Sequence, residues 1–516
     1  MKLRRKIFVA VTALALTSLT LAGCTGTAVP PDAAADPDAT LVVTTGQGAI
    51  PQLDPGLATF QWERVLYPLL WNGLTEVTEG DEVVPGLAEN WTSNDDLTSW
   101  TFTLRDDVTF TNGRAFTSED VVWNMERVLS GSNTSVAAIY LTSVSAVHAD
   151  SPNQVTFELD KPNAVLPLSL STLRIIAPES ADTINEKPIG TGPFKMDSFV
   201  PNQELKMTVN EDYWGETPEL KGITIVASND TAAAVTAIRT GDVQLLWNLP
   251  VADAAPLKSD NSVAVLESDQ STQLHYLSVD TTSPPFDDPR ARKALSLALN
   301  RDEVVQTAFS GFGQPAEYNE LLPQASWAFN ADGMQPDTHD LDEAAALFAD
   351  AGVNPGDSIT WWGIAGAYPE WNLEAQILQQ DLAEIGITLD IRNEEVGAWV
   401  DKFIPIPAAY PNHIVPNAGG DPNDPSFILG RLANGACECN WRDDRYDELA
   451  TKALATDDRD ERREYYQEMQ QIVIEQTPVI VSVHAPLVTA ARTNVNGAWI
   501  APSGDLHLED VTVGGH

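Results

Sequence analysis

Hydrophobic and polar residues alternate along three short stretches of the chain. Residues 100–104, 155–159 and 205–209 read WTFTL, VTFEL and LKMTV, with an apolar side chain at every second position. Successive side chains of a β-strand point to opposite faces, so a period of two indicates a strand with one buried face. The three stretches therefore predict half-buried strands.

A longer hydrophobic period follows three capping residues. Ser118, Asp340 and Asn372 each precede a run in which apolar residues recur every three or four positions. Their side chains can accept hydrogen bonds from the free amides of a first helical turn, so each predicts a helix start. The helix expected at Asn372 leads directly into the apolar segment 387–391. Such helix-then-strand units predict an α/β protein with mixed or parallel sheets covered by helices.

The amino terminus has the pattern of an export signal. Four cations within the first six residues precede the apolar run 7–21. This run is shorter than the roughly 20 residues of a spanning helix and is typical of a signal peptide that is removed. We therefore expect residues 1–23 to be absent from the mature protein.

A cysteine follows this signal directly. Residues 21–24 read Leu-Ala-Gly-Cys and resemble the bacterial lipobox, in which the cysteine thiol, here that of Cys24, receives diacylglycerol. The alternative is an ordinary signal peptide with an unrelated cysteine. Residues 24–39, rich in Pro, Ala, Gly and Asp, are expected to form a tether. The lipobox predicts an exported, lipid-anchored protein on the outer face of the cytoplasmic membrane or in the periplasm.

Composition excludes several classes of partner. The 516 residues include 74 Asp and Glu against 30 Lys and Arg, a formal net charge of −44. Nucleic-acid affinity depends on cations that neutralise phosphates, so we expect no nucleic-acid partner. The seven His residues form no HExxH pair, and we predict no metal site built from them. For Cys437 and Cys439, a local disulfide, free thiols and a metal site all remain open.

Seven collinear segments carry a resemblance to a known family. They are NGLT at 72–75, VVPGLAENW at 83–91, WTFTLR at 100–105, FTNG with FTSEDVV between 110 and 122, GTGPF at 190–194, NEDYW at 210–214, and PFDDPRARKAL at 285–295. In this order they resemble the landmarks of the family 5 extracellular solute-binding proteins, the receptors of peptide-type and nickel-type ABC importers.

The resemblance implies a two-lobed periplasmic-binding-protein-like fold, type II in its large three-subdomain form. Two α/β lobes would close over a ligand about hinge strands near 274–279 and 479–483. The implied division is 40–58, 186–270 and 485–516 for the core of lobe I, 59–185 for a subdomain inserted in lobe I, and 271–484 for lobe II. The implied role is capture of a solute and its delivery to a membrane permease. ATP would be hydrolysed by separate subunits, so the resemblance implies no cofactor for this chain.

The resemblance also points to a ligand anchor. Peptide-binding members hold the ligand α-ammonium with an aspartate in an acidic loop, and the segment GGDPNDP at 419–425 matches that loop. We take Asp421 as the anchor, because a desolvated carboxylate forms a charge-assisted hydrogen bond with an ammonium. The alternative is that Asp421 only caps the turn before Pro422. We expect Asp424 to cap a helix.

Aromatic residues form a second group of candidates. Stacking rings provide large contact areas at low entropic cost and suit sugar faces and apolar peptide side chains equally. The proposed cleft residues are Phe60, Trp247, Trp362, Tyr368 and Trp399. Burial in the core is the alternative for each of them, but Trp247 ends an apparent strand, and strand ends line the crevice of open α/β sheets.

One departure from the family affects the choice of ligand. Dipeptide receptors of the family clamp the ligand carboxylate with a basic residue in the loop that corresponds to 363–369, and this loop contains none. An oligopeptide is the leading ligand, followed by an oligosaccharide and then a nickel chelate. We expect no enzyme; the alternatives from other classes are a secreted hydrolase and a surface adhesin.

Overall fold

The computed structural model describes most of the chain. The described residues are 36, 38–46, 50–57, 66–79, 82–131, 136–228, 230–267, 271–365, 368–403, 413–420 and 424–514. The expected signal peptide, Cys24 and nearly all of the tether lie outside these residues. Among the described residues we find no helix with the length and apolar character needed to cross a membrane.

The strands are short and are spread over the described chain. They are β1 Thr40–Thr45, β2 Thr75–Val77, β3 Val83–Pro85, β4 Ala88–Ser93, β5 Ser99–Leu104, β6 Val144–Ser151, β7 Gln154–Leu159, β8 Phe194–Val200, β9 Glu204–Val209, β10 Gly222–Val226, β11 Leu245–Trp247, β12 Val263–Glu267, β13 Leu274–Val279, β14 Gln314–Pro315, β15 Ser358–Ile364, β16 Thr388–Glu394, β17 His413–Gly419, β18 Val479–His484, β19 Val488–Arg492, β20 Val495–Asn496, β21 Trp499–Ile500, β22 Leu506–His507 and β23 Thr512–Val513.

Helices lie mainly in the second half of the chain. They are α1 Tyr67–Leu70, α2 Ser118–Leu129, α3 Leu166–Leu170, α4 Thr231–Thr240, α5 Val251–Ala254, α6 Pro289–Ala298, α7 Arg301–Glu303, α8 Leu341–Asp350, α9 Pro369–Glu384, α10 Val396–Phe403, α11 Pro425–Gly430, α12 Asp444–Leu454 and α13 Arg459–Gln476. Short 3-10 helices occur at Pro55–Leu57, Val136–Leu141, Pro178–Thr183, Ala255–Ser259 and Ala433–Gly435, and a π-helical turn at Val304–Ala308.

A seven-stranded sheet is built from both ends of the described chain. Its order is β12-β19-β11-β1-β10-β9-β8, and β1 pairs in parallel with β10 and β11. One face packs a core that includes Leu41, Ile223 and Trp247, while the other packs Leu246 and Ala490 against residues of α4. Apolar residues on both faces explain why these strands are covered by helices.

A six-stranded sheet is built from residues 274–484. Its order is β14-β18-β13-β17-β15-β16, and β15 is parallel to both of its neighbours. Strand β13 divides its side chains between two cores: Leu277 and Val279 pack toward α6 and α9, whereas Leu274 and Tyr276 pack toward α12 and α13. This sheet is therefore the middle layer between two groups of helices.

A third, four-stranded antiparallel sheet has the order β4-β5-β7-β6. Its strands β5 and β7 contain two of the stretches with alternating hydrophobicity, and the third stretch forms β9, so the three strand predictions are confirmed. Along β5 the side chains of Trp100, Phe102 and Leu104 are buried and those between them are half-buried. This sheet forms a separate small core with α2 and α3.

The helix starts were predicted with mixed accuracy. Asp340 caps α8 by accepting a hydrogen bond from the Glu343 amide at 2.9 Å, as predicted. The cap of α2 is Thr117, whose capping box with Asp120 makes the prediction of Ser118 wrong by one residue. Helix α9 starts three residues before Asn372, because Pro369 tolerates a first helical turn without an amide hydrogen.

Cys437 and Cys439 form a disulfide. Both residues are buried in the core beside α12 and α13. Of the three states left open by the sequence, the structure has the local bridge.

Candidate ligand cleft

The two large sheets meet at the carboxyl ends of their parallel strands. The chain leaves the seven-stranded sheet at Glu267, which pairs with Val488, and enters the six-stranded sheet at Leu274, which pairs with Gly419 at the end of β17. It returns from His484, also paired with Leu274, to β19. Both connections therefore join the same end of the seven-stranded sheet to the same end of the six-stranded sheet. Ligands of open α/β sheets bind outside the carboxyl ends of the strands, so this region is the candidate cleft.

Tyr368 stands at the start of α9, just beyond the carboxyl end of β15. Its backbone has a φ of 49°, a left-handed conformation that is strained for a bulky residue. Its side chain is 42% exposed and its ring stacks on Trp371, with 4.1 Å between the centroids. Strained, exposed residues of this kind cluster at ligand sites.

Trp371 connects this exposed ring to β13, the first strand after the connection from the seven-stranded sheet. Its indole Nε1 donates to Nδ1 of His275 on β13 at 3.2 Å, and the His275 ring meets the Phe309 ring edge-on at 4.6 Å. Burial lowers the pKa of His275 to about 3, so its imidazole is neutral and Nδ1 can accept the hydrogen bond. The stacked rings of Tyr368 and Trp371, which we call the aromatic wall, are thus fixed to β13.

Trp399 and Trp362 belong to the same aromatic cluster, and Trp399 meets the Trp371 ring at 6.5 Å between the centroids. The Trp399 indole Nε1 donates to the backbone oxygen of Trp362 at 3.1 Å, and Trp399 itself is 5% exposed. The Trp362 ring is half-buried beneath Arg392 and Lys402, whose cationic groups lie 5.2 and 4.7 Å from its centroid. The structure therefore brings Tyr368, Trp362 and Trp399 into one cluster on the six-stranded sheet.

Trp247 lies at the carboxyl end of β11, on the edge of the opposite sheet. It is fully buried and packs in the core of the seven-stranded sheet, and its backbone oxygen accepts from the Gly46 amide at 2.7 Å. Among the described residues its indole Nε1 has no hydrogen-bond partner. Its contact with a ligand stays a prediction.

The acidic loop begins at the end of β17 and is held close to the crossing segment. A side chain at Gly420 would collide with Nε2 of Gln273 and would come within 2.9 Å of the Ser503 backbone oxygen. Gln273 in turn donates to that oxygen at 2.8 Å. Glycine is therefore required where the loop leaves the sheet. Asp421 itself, like Phe60, lies outside the described residues.

Asp424 ends this loop and serves the scaffold. Its carboxylate caps α11 through the Ser426 amide at 3.0 Å and accepts two bonds from Nη2 of Arg462, at 2.6 and 2.7 Å. Burial opposes the charge of Arg462, but Asp424 and Tyr466 raise its pKa above the usual value. The expectation that Asp424 is a helix cap is confirmed, and its carboxylate is occupied.

A comparison with protein-family models places this chain in a family. Residues 82–437 match the model described as bacterial extracellular solute-binding proteins, family 5, middle. The chain belongs to this family. It therefore has the two-lobed α/β fold of these proteins, which are extracytoplasmic transport receptors and not enzymes.

Relatives and structural neighbours span nearly the whole chain. The dipeptide-binding protein of Escherichia coli K12 is 28% identical over 507 residues, 90% of this chain and 92% of the relative. The periplasmic binding protein DppA of Helicobacter pylori in complex with the peptide STSA has a TM-score of 0.77 at 22% identity, covering 93% of this chain and 98% of that one. NikA of Brucella suis in complex with Fe(III)-EDTA has a TM-score of 0.81 at 22% identity, covering 92% and 100%.

Sequence reasoning missed the partners of the candidate residues. His275 is separated from Trp371 by 96 positions and Asp424 from Arg462 by 38. Trp371 was within reach of the sequence, since it follows Tyr368 by three positions and so shares its helix face. No sequence pattern near His275 indicates its contact with Trp371.

A buried carboxylate lies behind the aromatic wall, on α9. Glu374 is 1% exposed, and burial raises its pKa to about 7. Ser482 on β18 and Arg301 offset only part of this effect, while Glu370 adds to it. The carboxyl of Glu374 is therefore half-protonated near pH 7.

Glu374→Gln is expected to make the protein more stable at pH 8 than the parent. A carboxyl with a raised pKa in the folded state contributes stability below its unfolded pKa, and this contribution is lost as pH rises through about 7. The loss is on the order of 3 kcal/mol between pH 4 and 8, and glutamine removes it. Urea unfolding across this range measures the difference.

The control for this prediction is Glu384→Gln, at an exposed position of the same helix. This variant should keep the parent's dependence of unfolding free energy on pH. If the unfolding free energies of Glu374→Gln and the parent had the same dependence on pH, the prediction would be contradicted.

Proposed function

We propose that this protein captures an oligopeptide-like solute outside the cytoplasmic membrane and delivers it to the permease of an ABC importer. The support is the family, the dipeptide-binding relative with 28% identity, and an acidic loop at the edge where the two sheets meet. Cys24 provides the lipid anchor in this proposal, and residues 24–39 provide the tether.

The observation that carries the proposal is the occupied carboxylate of Asp424. In the loop 419–425 this is one of two acidic residues, and it is committed to Arg462 and to the start of α11. The ligand ammonium therefore falls to Asp421. The preceding Gly420 lies against Gln273 and Ser503, so the loop is anchored to the segment that joins the two lobes.

The aromatic cluster provides the wall for the solute. Tyr368 presents an exposed ring backed by Trp371, and the half-buried Trp362 is supported by the buried Trp399 in the same cluster. Flat apolar walls contact peptide side chains without selecting a sequence. The loop 363–369 contains no cation, so the carboxylate of the peptide must lie elsewhere. This favours a solute longer than a dipeptide.

Capture occurs by closure of the two lobes in this proposal. Lobe I comprises 40–58, 186–270 and 485–516 with its inserted subdomain 59–185, and lobe II comprises 271–484. A solute that touches both lobes binds the closed state more tightly and shifts the population toward it. The closed surface then docks on the permease, and separate subunits hydrolyse ATP.

A thermal-shift panel tests this function. Residues 25–516 are refolded to remove native ligand and mixed with short peptides, neutral oligosaccharides or nickel chelates. A ligand at about 100 times its Kd adds about 2.7 kcal/mol of stability, which gives a clear shift in Tm. We expect stabilisation by peptides. Stabilisation by sugars alone would contradict the peptide proposal and leave the tryptophans as the site.

Tyr368→Gly is expected to weaken solute binding by about tenfold without lowering stability, because the loss of one stacked ring costs about 1 kcal/mol or more. Glycine adopts the positive φ at this position without strain, which offsets the lost contact with Trp371. Calorimetric titration with a tripeptide measures the affinity and thermal unfolding the stability.

Asn434→Gly is the matched control. Asn434 also has a positive φ, 56°, but lies in a turn between α11 and α12. It should relieve backbone strain and leave affinity unchanged. If Tyr368→Gly also left affinity unchanged, Tyr368 would not be part of the wall.

A further inference from the structure

A cavity of about 540 Å³ lies between the inserted subdomain and lobe II. One wall includes Trp91 and Trp100 of the four-stranded sheet, and the other includes Trp327 and Arg459. The same seam is closed by a hydrogen bond from the Ala164 amide to the Leu454 oxygen, at 2.9 Å. The cavity is thus built from two parts of the chain that are far apart in sequence, and three indole rings line it.

The charges at this cavity are unusual for so acidic a chain. Helix α13 presents three arginines here. Arg462 and Arg463 are paired with Asp424 and Asp460. Arg459 is exposed, lies over the Trp327 ring at 4.6 Å, and pairs with no carboxylate among the described residues. With 74 acidic residues against 30 basic ones, a cation left over at a cavity is available for a ligand anion.

An unpaired acid lines the same cavity from the other side. Glu82 is exposed, and among the described residues its carboxylate has no cationic partner. Glu82 and Arg459 thus have opposite charges, belong to opposite walls and form no ion pair with each other within the described structure. A ligand with both an ammonium and a carboxylate would satisfy both groups.

Two further lining residues have a donor without an acceptor. Trp100 is 7% exposed and Arg462 is 8% exposed, and the atoms Nε1 of Trp100 and Nε of Arg462 have no partner within the described part of the chain. Buried donors are almost always satisfied, and a site that lacks an acceptor indicates a missing partner. One donor belongs to each wall of the cavity, so both walls contain a polar group without a partner in the described structure.

We propose that this cavity is a second binding site, for a small zwitterion with a planar apolar group, of which an aromatic amino acid is the simplest case. The carboxylate binds at Arg459, the ammonium at Glu82, and the ring lies among the indoles of Trp91, Trp100 and Trp327. The cavity reaches Asp424 at the end of the acidic loop, but the groups assigned to the zwitterion lie outside that loop, so the site stands whether or not the importer ligand is a peptide.

Saturation-transfer NMR with L-phenylalanine tests the site on the full-length chain bearing Asp421→Ala, which removes the proposed ammonium anchor of the main cleft. For a ligand of about 12 non-hydrogen atoms we expect a Kd on the order of millimolar. We expect saturable binding of phenylalanine and about tenfold weaker binding of phenylacetate, phenethylamine and alanine, each of which lacks one recognised group.

Three substitutions identify the location. Arg459→Gln and Glu82→Gln, both at exposed positions, should each weaken phenylalanine binding by about tenfold. Trp100→Phe keeps an aromatic ring at this position but is smaller, and should also weaken binding. Arg445→Gln, at an exposed position of α12 away from the cavity, is the control and should have no effect. Absence of saturable binding, equal binding of phenylacetate, or unchanged affinity in Arg459→Gln and Glu82→Gln would overturn the proposal.

Discussion

Asp421→Ala is expected to weaken binding of ammonium-bearing solutes by about 100-fold while the protein stays folded. The ammonium would keep its desolvation cost and lose its charge-assisted partner. Asp424 cannot replace Asp421, because its carboxylate is held by Arg462 and by the first turn of α11. Calorimetric titration of a tripeptide into refolded protein measures the effect.

The control for this substitution is Asp342→Ala, which removes an exposed carboxylate from the first turn of α8. It lowers the acidity of the chain by the same single charge and should leave affinity unchanged. Unchanged affinity in Asp421→Ala would remove this residue from the anchor role and assign it to the turn before Pro422.

Asp424→Ala is expected to lower the free energy of unfolding by about 3–5 kcal/mol, because it leaves the guanidinium of Arg462 buried without a counter-charge. The side chains of the pair are only 10% and 8% exposed, and the same carboxylate caps α11. Urea denaturation measures the loss. The double variant Asp424→Asn with Arg462→Met should recover part of it, since no buried charge remains.

An exposed ion pair provides the comparison. Arg445 and Glu468 bridge α12 and α13 with 45% and 46% of their side chains exposed. Glu468→Ala should change stability far less than Asp424→Ala, because solvent screens surface pairs. Equal losses in the two variants would show that the buried pair has no special role in joining the loop to α13.

Features determined by neighbouring residues were predictable from the sequence. The alternation in 100–104 depends only on which side chains face the core, and β5 has this pattern. Asp340 caps α8 because its carboxylate reaches an amide three residues later. The family was recognisable from short motifs in order, and the match over residues 82–437 confirms it.

Features determined by distant residues were not predictable. Trp371 reaches His275 only after the sheet brings β13 beside α9. The cavity between Trp100 and Arg459 depends on how two parts of the fold meet. The choice of Thr117 over Ser118 as a cap depends on which hydroxyl faces the helix amides, and both residues are good caps by type. Local patterns do not contain this information.

The most direct test of the account compares a free tripeptide with its N-acetylated form. Trialanine and acetyl-trialanine differ in the ammonium and share every side chain, so the comparison isolates the proposed anchor. Calorimetric titration of each into refolded residues 25–516 should give saturable binding of trialanine and binding about 100-fold weaker for the acetylated peptide. Equal affinities, or no binding of either peptide by a protein that binds an oligosaccharide, would contradict an ammonium-anchored peptide receptor.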